Sequence, residues 1–334
     1  MNIGIFSMNN NFMGNIFSEM ERRKWNLKFF ALGKNEMLLT RDNFIDRARF
    51  FRMFDDIDVA YVEFAENLAM DVAIWKAINK LEIPVVVRLH RIELYEQFAH
   101  TLPWEVINDL IFVAPQCQRK FNQWIERKPS RQHLINNGYN AELFDIPIDK
   151  TYGNEIMMAG NIYWKKGHYE MIEFMSTMPD WNLNIVGDPG KQDGKEYWIN
   201  CQDVIKTRKI KNVTYSPKVP QEELSSMFRD NSIILSASLE EGTHCVIAEG
   251  MLSGLYPMVR HWDGANEMYP PECVWDNFDE LKTMLSWWSN LSERDKTKAS
   301  AHMREWVEKR YDYETQARLL VDVIEESVAR SKPK

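Results

Sequence analysis

Short apolar runs alternate with helical patterns along the whole chain. In the first half, runs of strand length fall at Ile3–Phe6, Lys28–Ala31, Val59–Val62, Val85–Leu89 and Leu110–Val113. Between them, Phe17–Lys24, Leu68–Lys80 and Gln118–Trp124 carry helical spacing, and Leu134–Gly138 reads as a further short strand that ends in a turn. Such alternation predicts a parallel sheet covered by helices.

The pattern then restarts. Residues Pro147 to Gly153 are short, polar and turn-prone, and read as a hinge. Beyond it, strands are predicted at Glu155–Ala159, Leu183–Val186, Val213–Tyr215, Ile233–Ala237 and Pro257–Val259. Helices are predicted at Tyr169–Met175, Lys195–Lys206, Gln221–Phe228 and Phe278–Ser289, with a helical tail over Ala299–Arg310 and Tyr313–Ala329. Two successive α/β domains follow, 1–148 and 153–312. Ligands of open α/β sheets bind beyond the carboxyl ends of the strands, so functional residues are expected in the loops just after them.

Bulk composition narrows the classes. A length of 334 residues suits two domains with proper cores. The net charge of −8 speaks against a nucleic-acid binder and leaves a local basic groove open. Cys117, Cys201, Cys245 and Cys273 stand far apart, which fits reduced thiols in a cytoplasmic protein better than disulfides or a zinc site. The first residues lack the basic start and apolar stretch of a signal peptide, and no window of about 18 apolar residues suggests a membrane span.

The most informative segment is Glu241-Gly242-Thr243-His244-Cys245-Val246-Ile247-Ala248-Glu249. It follows a predicted buried strand and precedes Gly254 and Pro257, which are helix-stop signals. The unit reads as strand, loop, helix, and a helix start is a seat for phosphate. Glu241 falls at that seat and Glu249 about two turns into the helix, up to ~12 Å further along the axis. Two carboxylates so placed can take hydroxyls at both ends of a sugar–diphosphate–ribose ligand. A solvated pair of surface glutamates is the plain alternative.

Other loops after predicted strands carry chemistry as well. Gly160, Asn161, Lys165 and Lys166 precede Gly167, where glycine permits close backbone approach and lysine can neutralise a diphosphate; an exposed turn is the alternative. Gly14 opens a helix after the first strand, without a full G-x-G-x-x-G fingerprint. His90 closes the strand Val85–Leu89, as a proton-transfer group or a structural histidine. Asp263–Glu267 forms a further polar loop. Arg41–Asp56 mixes arginines with Phe44, Phe50, Phe51 and Phe54: an amphipathic helix with buried rings, an acceptor contact, or peripheral contact with an anionic membrane.

Read together, these segments resemble a GT-B retaining glycosyltransferase, closest to glycosyltransferase family 4. Ile135–Asn140 with Phe144 is similar to the family's Pro-Asn-Gly-Val-Asp…Phe stretch, and Gly160 to Gly167 to its Gly-Arg…Lys-Gly loop. Leu183–Gly187 resembles Leu-x-Ile-Val-Gly, Ser238–Met251 resembles Ser-x-x-Glu-Gly-Phe-Gly…Glu-Ala-Met, and Asp263–Glu267 resembles Gly-Gly-x-x-Glu. The resemblance implies two Rossmann-like domains facing across a cleft, the acceptor-side one carrying helix 313–330 packed back on it. It implies transfer of a sugar from a nucleotide-diphosphate sugar, such as a UDP-sugar, to a glycan, a lipid-linked glycan or another hydroxyl acceptor. No cofactor and no metal are expected.

By the same resemblance Glu241 faces the donor sugar, with His90 near the reacting carbon and Lys166 on the diphosphate. Glu249 takes the ribose hydroxyls, backbone around Gly242, Thr243, His244 and Cys245 binds sugar or phosphate, and Gly14 and Gly160 approach the diphosphate. Two departures stand out. Asn161 replaces the family's arginine, with Lys165 as the available substitute, and Thr243-His244 replaces Phe-Gly. A DNA-modifying glycosyltransferase and a degenerate, non-catalytic GT-B partner subunit are the alternative readings.

Overall fold

The first half of the chain lays its most apolar strands at the centre of a sheet and more polar ones at the edges. The computed structural model describes residues 1–10, 12–31, 44–147, 149–190 and 192–331. The chain divides into two units, Met1–Gly138 with the residues from Tyr313 onward, and Tyr139–Asp312.

In the first unit the strands are β1 (Asn2–Phe6), β2 (Asn26–Phe30), β3 (Val59–Glu63), β4 (Val85–Leu89), β5 (Asp109–Phe112) and β6 (Arg131–Leu134). They form one parallel sheet in the order β2-β1-β3-β4-β5-β6. Strands β3 and β4 are buried at every position, as strands covered on both faces must be. The helix Tyr313–Ser331 repeats apolar residues at Ala317, Leu320, Val321, Ile324 and Val328, and packs that stripe on Ile3, Ile5, Val59, Tyr61 and Ile111. Arg23 fastens the same helix through Asp322 at 2.6 Å.

The helix Phe44–Met53 sends Phe50, with Phe54 just beyond it, into a ring cluster with Phe6 and Phe30. Phe51 stacks on Trp75 at 4.0 Å, whereas Arg49 and Arg52 are exposed. The rings of Phe50, Phe51 and Phe54 therefore serve the core. Arg41 and the side chain of Phe44 lie outside the described residues.

In the second unit the strands are β7 (Glu155–Asn161), β8 (Asn182–Asp188), β9 (Val213–Pro217), β10 (Ile233–Ser236), β11 (Tyr256–Arg260) and β12 (Val274–Trp275). Their order is β12-β11-β10-β7-β8-β9, again parallel. The chain leaves β7 toward β8 on one side and returns through β10 on the other. The point between β7 and β10 is thus the topological switch of this sheet, the place where open α/β sheets receive ligands.

Two expectations are corrected. The sixth strand is Arg131–Leu134, not Leu134–Gly138. The division of the chain falls at Gly138/Tyr139, earlier than the polar stretch 147–153. Tyr139 and Phe144 are buried in the core of the second unit, and Arg304 donates to the carbonyl oxygens of Phe144 and Leu252. Further on, Lys150 donates to the carbonyls of Phe228, Arg229 and Asn231, and Tyr152 packs on Trp288. These contacts tie 139–153 into the second unit, so the polar stretch is not a hinge.

Candidate functional site

Two loops meet at the switch point of the second sheet. The first leaves β7 and runs through a short 3-10 turn, Trp164–Lys166, to Gly167. Gly167 has φ +69°, and a Cβ there would lie 2.4 Å from the carbonyl oxygen of Ala237, so this position needs glycine twice over. The second loop leaves β10 and carries Ser238 to His244. Leu239 N–H donates to the carbonyl of Lys165 at 2.8 Å, which locks the loops together. The helix Cys245–Leu252 then starts with His244 as its N-cap residue, so Glu249 stands four residues into it, nearer its start than the spacing suggested.

The two loops bring three titratable side chains to one point. Lys166 Nζ donates to Glu241 Oε1, and His244 Nε2 lies 3.2 Å from the same oxygen. Glu241 and His244 are 7% and 5% exposed. Burial pushes the Glu241 carboxyl up, but the attraction and hydrogen bonds of His244 and Lys166 outweigh it and hold the group well below the usual carboxylate range. Glu241 is therefore an ionised, buried carboxylate at neutral pH.

Two cavities lie near this cluster. A small one of about 20 Å³ is lined by Asn161, Lys166, His168, Ser236, Ser238 and His244 among others. Burial, reinforced by the nearby Lys166 charge, pushes the His168 imidazole down to about 3, so that ring is neutral. The larger pocket, of about 180 Å³, is bounded by Gly160 and Asn161 from β7, Gly187 from β8, Lys218 and Val219 after β9, and Cys245 and Glu249 of the helix. Gly160 has φ +128° and open space in front of its Cα, which leaves bare backbone at the pocket rim. Burial raises the Glu249 carboxyl above its ordinary value, opposed by the 3.0 Å hydrogen bond from Gln221 Nε2.

The remaining expected residues divide between the units. Lys165 turns to Glu240, 3.5 Å away, with Nζ 5.5 Å from the centre of the Trp164 ring. Thr243 accepts from Cys245 N–H through its carbonyl at 3.0 Å, so that amide is spent inside the loop, and Cys245 Sγ accepts from Tyr139 at 3.7 Å. Gly14 is the first residue of the helix Gly14–Arg22 in the first unit. His90 is in the first unit too, with Nε2 2.7 Å from Glu63 Oε1 and its ring stacked on Phe64 at 4.3 Å. Phe64 holds φ +72°, an unusual conformation for an aromatic residue, in the loop after β3. Asp263–Glu267 leads into a one-turn helix, Ala265–Met268. Among the described residues no group of three or more His, Cys, Asp or Glu is placed to hold a metal ion, and no helix is long and apolar enough to cross a membrane.

Four neighbours of the site carried no sequence signal of their own: His168, Lys218, Gln221 and Glu240. His168 follows Lys166-Gly167 by one residue and belonged to a loop already under suspicion. Lys218 and Gln221 flank a proline before a polar helix, and nothing in that pattern points at a pocket.

The comparisons bear on family and fold. Residues 143–269 match the model of the glycosyl transferases group 1 family. No curated protein matches the sequence. Among solved structures, the sucrose-phosphate synthase of Thermosynechococcus elongatus is similar with a TM-score of 0.78 at 14% identity, covering 99% of this chain and 100% of that one. HepE of Anabaena, solved with UDP, has a TM-score of 0.78 at 15% identity over 98% of this chain and 100% of its own. A UDP-forming α,α-trehalose-phosphate synthase of Burkholderia xenovorans has a TM-score of 0.73 at 10% identity over 100% and 99%. At such identities the likeness is one of fold, the α/β architecture of GT-B enzymes. With the group 1 glycosyl transferase match lying on the unit that holds the charged cluster, this protein is a glycosyltransferase.

Proposed function

We propose that this protein transfers a sugar from a nucleoside diphosphate sugar to an acceptor hydroxyl with retention at the anomeric carbon, in the manner of glycosyltransferase family 4. The observation that carries this reading is the Lys166–Glu241–His244 cluster at the switch point of the second sheet, beside a pocket that ends at Glu249. The nucleoside lies in that pocket, with its ribose hydroxyls on Glu249 and the diphosphate toward Lys166 and the start of the helix Cys245–Leu252. Glu241 takes hydroxyls of the donor sugar.

The reaction is a front-side displacement. The bond from the anomeric carbon to the diphosphate oxygen breaks, the acceptor oxygen bonds to the same face, and the acceptor proton passes to the departing phosphate. Lys166 and the helix terminus stabilise the charge that develops on the leaving group. Asn161 supplies no charge and Lys165 is engaged by Glu240, so Lys166, with Lys218 at the pocket rim, carries the electrostatic work. HepE was solved with UDP and, separately, with UDP-glucose, which makes uridine nucleotides the first donors to test. The acceptor is a hydroxyl of a glycan, a lipid-linked glycan or another hydroxyl compound.

Calorimetric titration with UDP and GDP, followed by a screen of nucleotide sugars for donor hydrolysis, tests the reading. Binding of one nucleotide and turnover of its sugar are expected. Failure to bind either, or transfer unchanged in Glu241→Ala, would overturn it.

A further inference from the structure

Three large apolar residues gather on the surface of the first unit. Ile92 and Tyr95 begin and end the short 3-10 helix that follows β4, where side chains three apart share a face. Trp124 closes the helix Pro115–Trp124 after β5 and meets Tyr95 edge to face, with ring centres 5.5 Å apart. The three are 55%, 46% and 37% exposed. Single apolar residues on a surface are ordinary, whereas a contiguous group marks a contact site.

Cations stand against this group. Lys120 Nζ donates to the Tyr95 hydroxyl at 2.8 Å and lies 5.5 Å from the centre of that ring, and the Arg91 guanidinium lies 5.7 Å from it. Arg119 precedes Lys120 on the same helix and is exposed. The helix Pro115–Trp124 carries no acid. Within residues 91–96, Glu93 is fully buried, with its carboxyl pushed well above the ordinary range by burial, and Glu96 is half-buried. A chain of net charge −8 thus presents here a local basic face around an apolar centre.

The chemistry of the face selects its occupant. A sugar ring stacks on a bare aromatic face, but Tyr95 has Arg91 and Lys120 against its ring, and the most exposed of the three apolar residues, Ile92, is aliphatic. Tyrosine and tryptophan settle at the headgroup level of a bilayer, aliphatic side chains reach the acyl boundary, and lysine and arginine are drawn to anionic headgroups. We propose that the face formed by Ile92, Tyr95 and Trp124 with Arg91, Arg119 and Lys120 rests on an anionic lipid bilayer as a peripheral contact. These residues are not those of the helix Phe44–Met53, whose rings Phe50 and Phe51 serve the core. The inference goes beyond the nucleotide-sugar reading, because such a contact needs no donor.

The test is co-sedimentation of the full chain with vesicles of phosphatidylcholine alone or mixed with phosphatidylglycerol, at rising salt. Partition to the anionic vesicles is expected to be about tenfold stronger or more, and to fall as salt screens the cations. Ile92→Ser combined with Trp124→Ser is expected to weaken it about tenfold, because the apolar area that enters the interface is removed. Arg119→Gln and Lys120→Gln are each expected to weaken it roughly fivefold and to flatten the salt dependence. Ile199→Ser, at an isoleucine also 55% exposed but in the second unit, is expected to leave it unchanged. Thermal scans and UDP titration of each variant should match the wild type; should the double variant fail to fold, Ile92→Ser alone takes its place. No preference for anionic vesicles, or a loss in Ile199→Ser equal to that in Ile92→Ser, would overturn the lipid contact. So would a wild-type dimer in sedimentation that the double variant abolishes, which would assign the face to a second copy of the chain. Each of these failures leaves the nucleotide-sugar reading standing, since UDP titration reads that separately.

Discussion

The two sheets carry the same three ingredients at their carboxyl edges, and they use them differently. In the first unit Glu63 ends β3 and meets Arg88 Nη1 at 3.3 Å, His90 Nε2 at 2.7 Å and the Tyr61 hydroxyl. In the second, Glu241 meets Lys166 and His244. Both carboxylates are buried, and opposing cations hold both below the usual carboxylate range against the pull of desolvation. The difference lies in where the cation comes from. Arg88 projects from the next-to-last position of a buried strand, is 2% exposed and is also held by Asn137. Lys166 comes from a turn and lines the small cavity. A planar arginine inside a sheet makes a permanent clamp; a lysine on a loop makes an exchangeable one.

Removing the cation from each set tests that contrast most severely. Arg88→Met strips a fully buried carboxylate of its clamp and is expected to cost about 3–5 kcal/mol of stability in urea unfolding. Lys166→Met, at a carboxylate that is also buried, is expected to cost roughly 1 kcal/mol or less, since the lysine is partly solvated and His244 stays. Equal losses would erase the distinction between a permanent and an exchangeable pair.

Activity should reverse the ranking. Glu241→Gln preserves shape and removes the charge, and is expected to lower kcat about 10²–10³-fold with a small change in Tm. Glu63→Gln is expected to act mainly on Tm. Steady-state transfer assays beside thermal scans separate the two. A Glu63→Gln chain that folds normally yet loses transfer as Glu241→Gln does would assign the first cluster to chemistry as well.

Acid acts on the second unit through two groups. Glu241 has a folded-state pKa below its unfolded value of 4.5, so its contribution is complete above that range and is lost as pH falls toward the folded value. His168 works in a higher window. Its folded value of about 3 lies below the ordinary 6.5, so between the two the unfolded chain binds a proton that the folded chain refuses, and stability declines as pH falls from 6.5 toward 3. His168→Gln is expected to flatten that decline in urea unfolding measured at several pH values, and to leave stability at pH 8 nearly unchanged. A decline as steep as in the wild type would remove His168 as its source.

How much of this was legible in the sequence depends on what each residue faces. The central strands announced themselves because burial on both faces demands unbroken apolar runs. Strand β6 did not: Arg131-Gln132-His133-Leu134 is an edge strand whose side chains are exposed or half-buried, and the apolar Ile135 just after it drew the eye instead. The switch-point loops were legible through Gly167, Glu241 and the helix-stop at Gly254, which has φ +80°. The division at Gly138 was not, because what assigns 139–153 is the burial of Tyr139, Phe144 and Tyr152, a tertiary fact. The Lys166–Glu241 pair joins residues 75 apart, and the loop-to-loop lock at Leu239 that permits it is made by backbone, which leaves no mark on side-chain pattern.

The smallest expected effect falls on Glu249, and its sign is the informative part. Its folded-state pKa is above the ordinary 4.5, so the folded state favours the protonated form, and holding the carboxylate charged at pH 7 works against folding. A carboxylate that served only the fold would not be set in such a position without a cation. Gln221 offers one neutral N–H at 3.0 Å, and the pocket lies before it. Glu249→Gln is therefore expected to leave Tm unchanged or slightly raised while it weakens nucleoside diphosphate binding about tenfold, the worth of a hydrogen bond to a charged acceptor. The loss should vanish for inorganic pyrophosphate, which has no ribose, and persist for the nucleoside diphosphate. A parallel loss for both ligands would place Glu249 in the electrostatics of the diphosphate instead, and would move the nucleoside out of the pocket between β7 and the helix Cys245–Leu252.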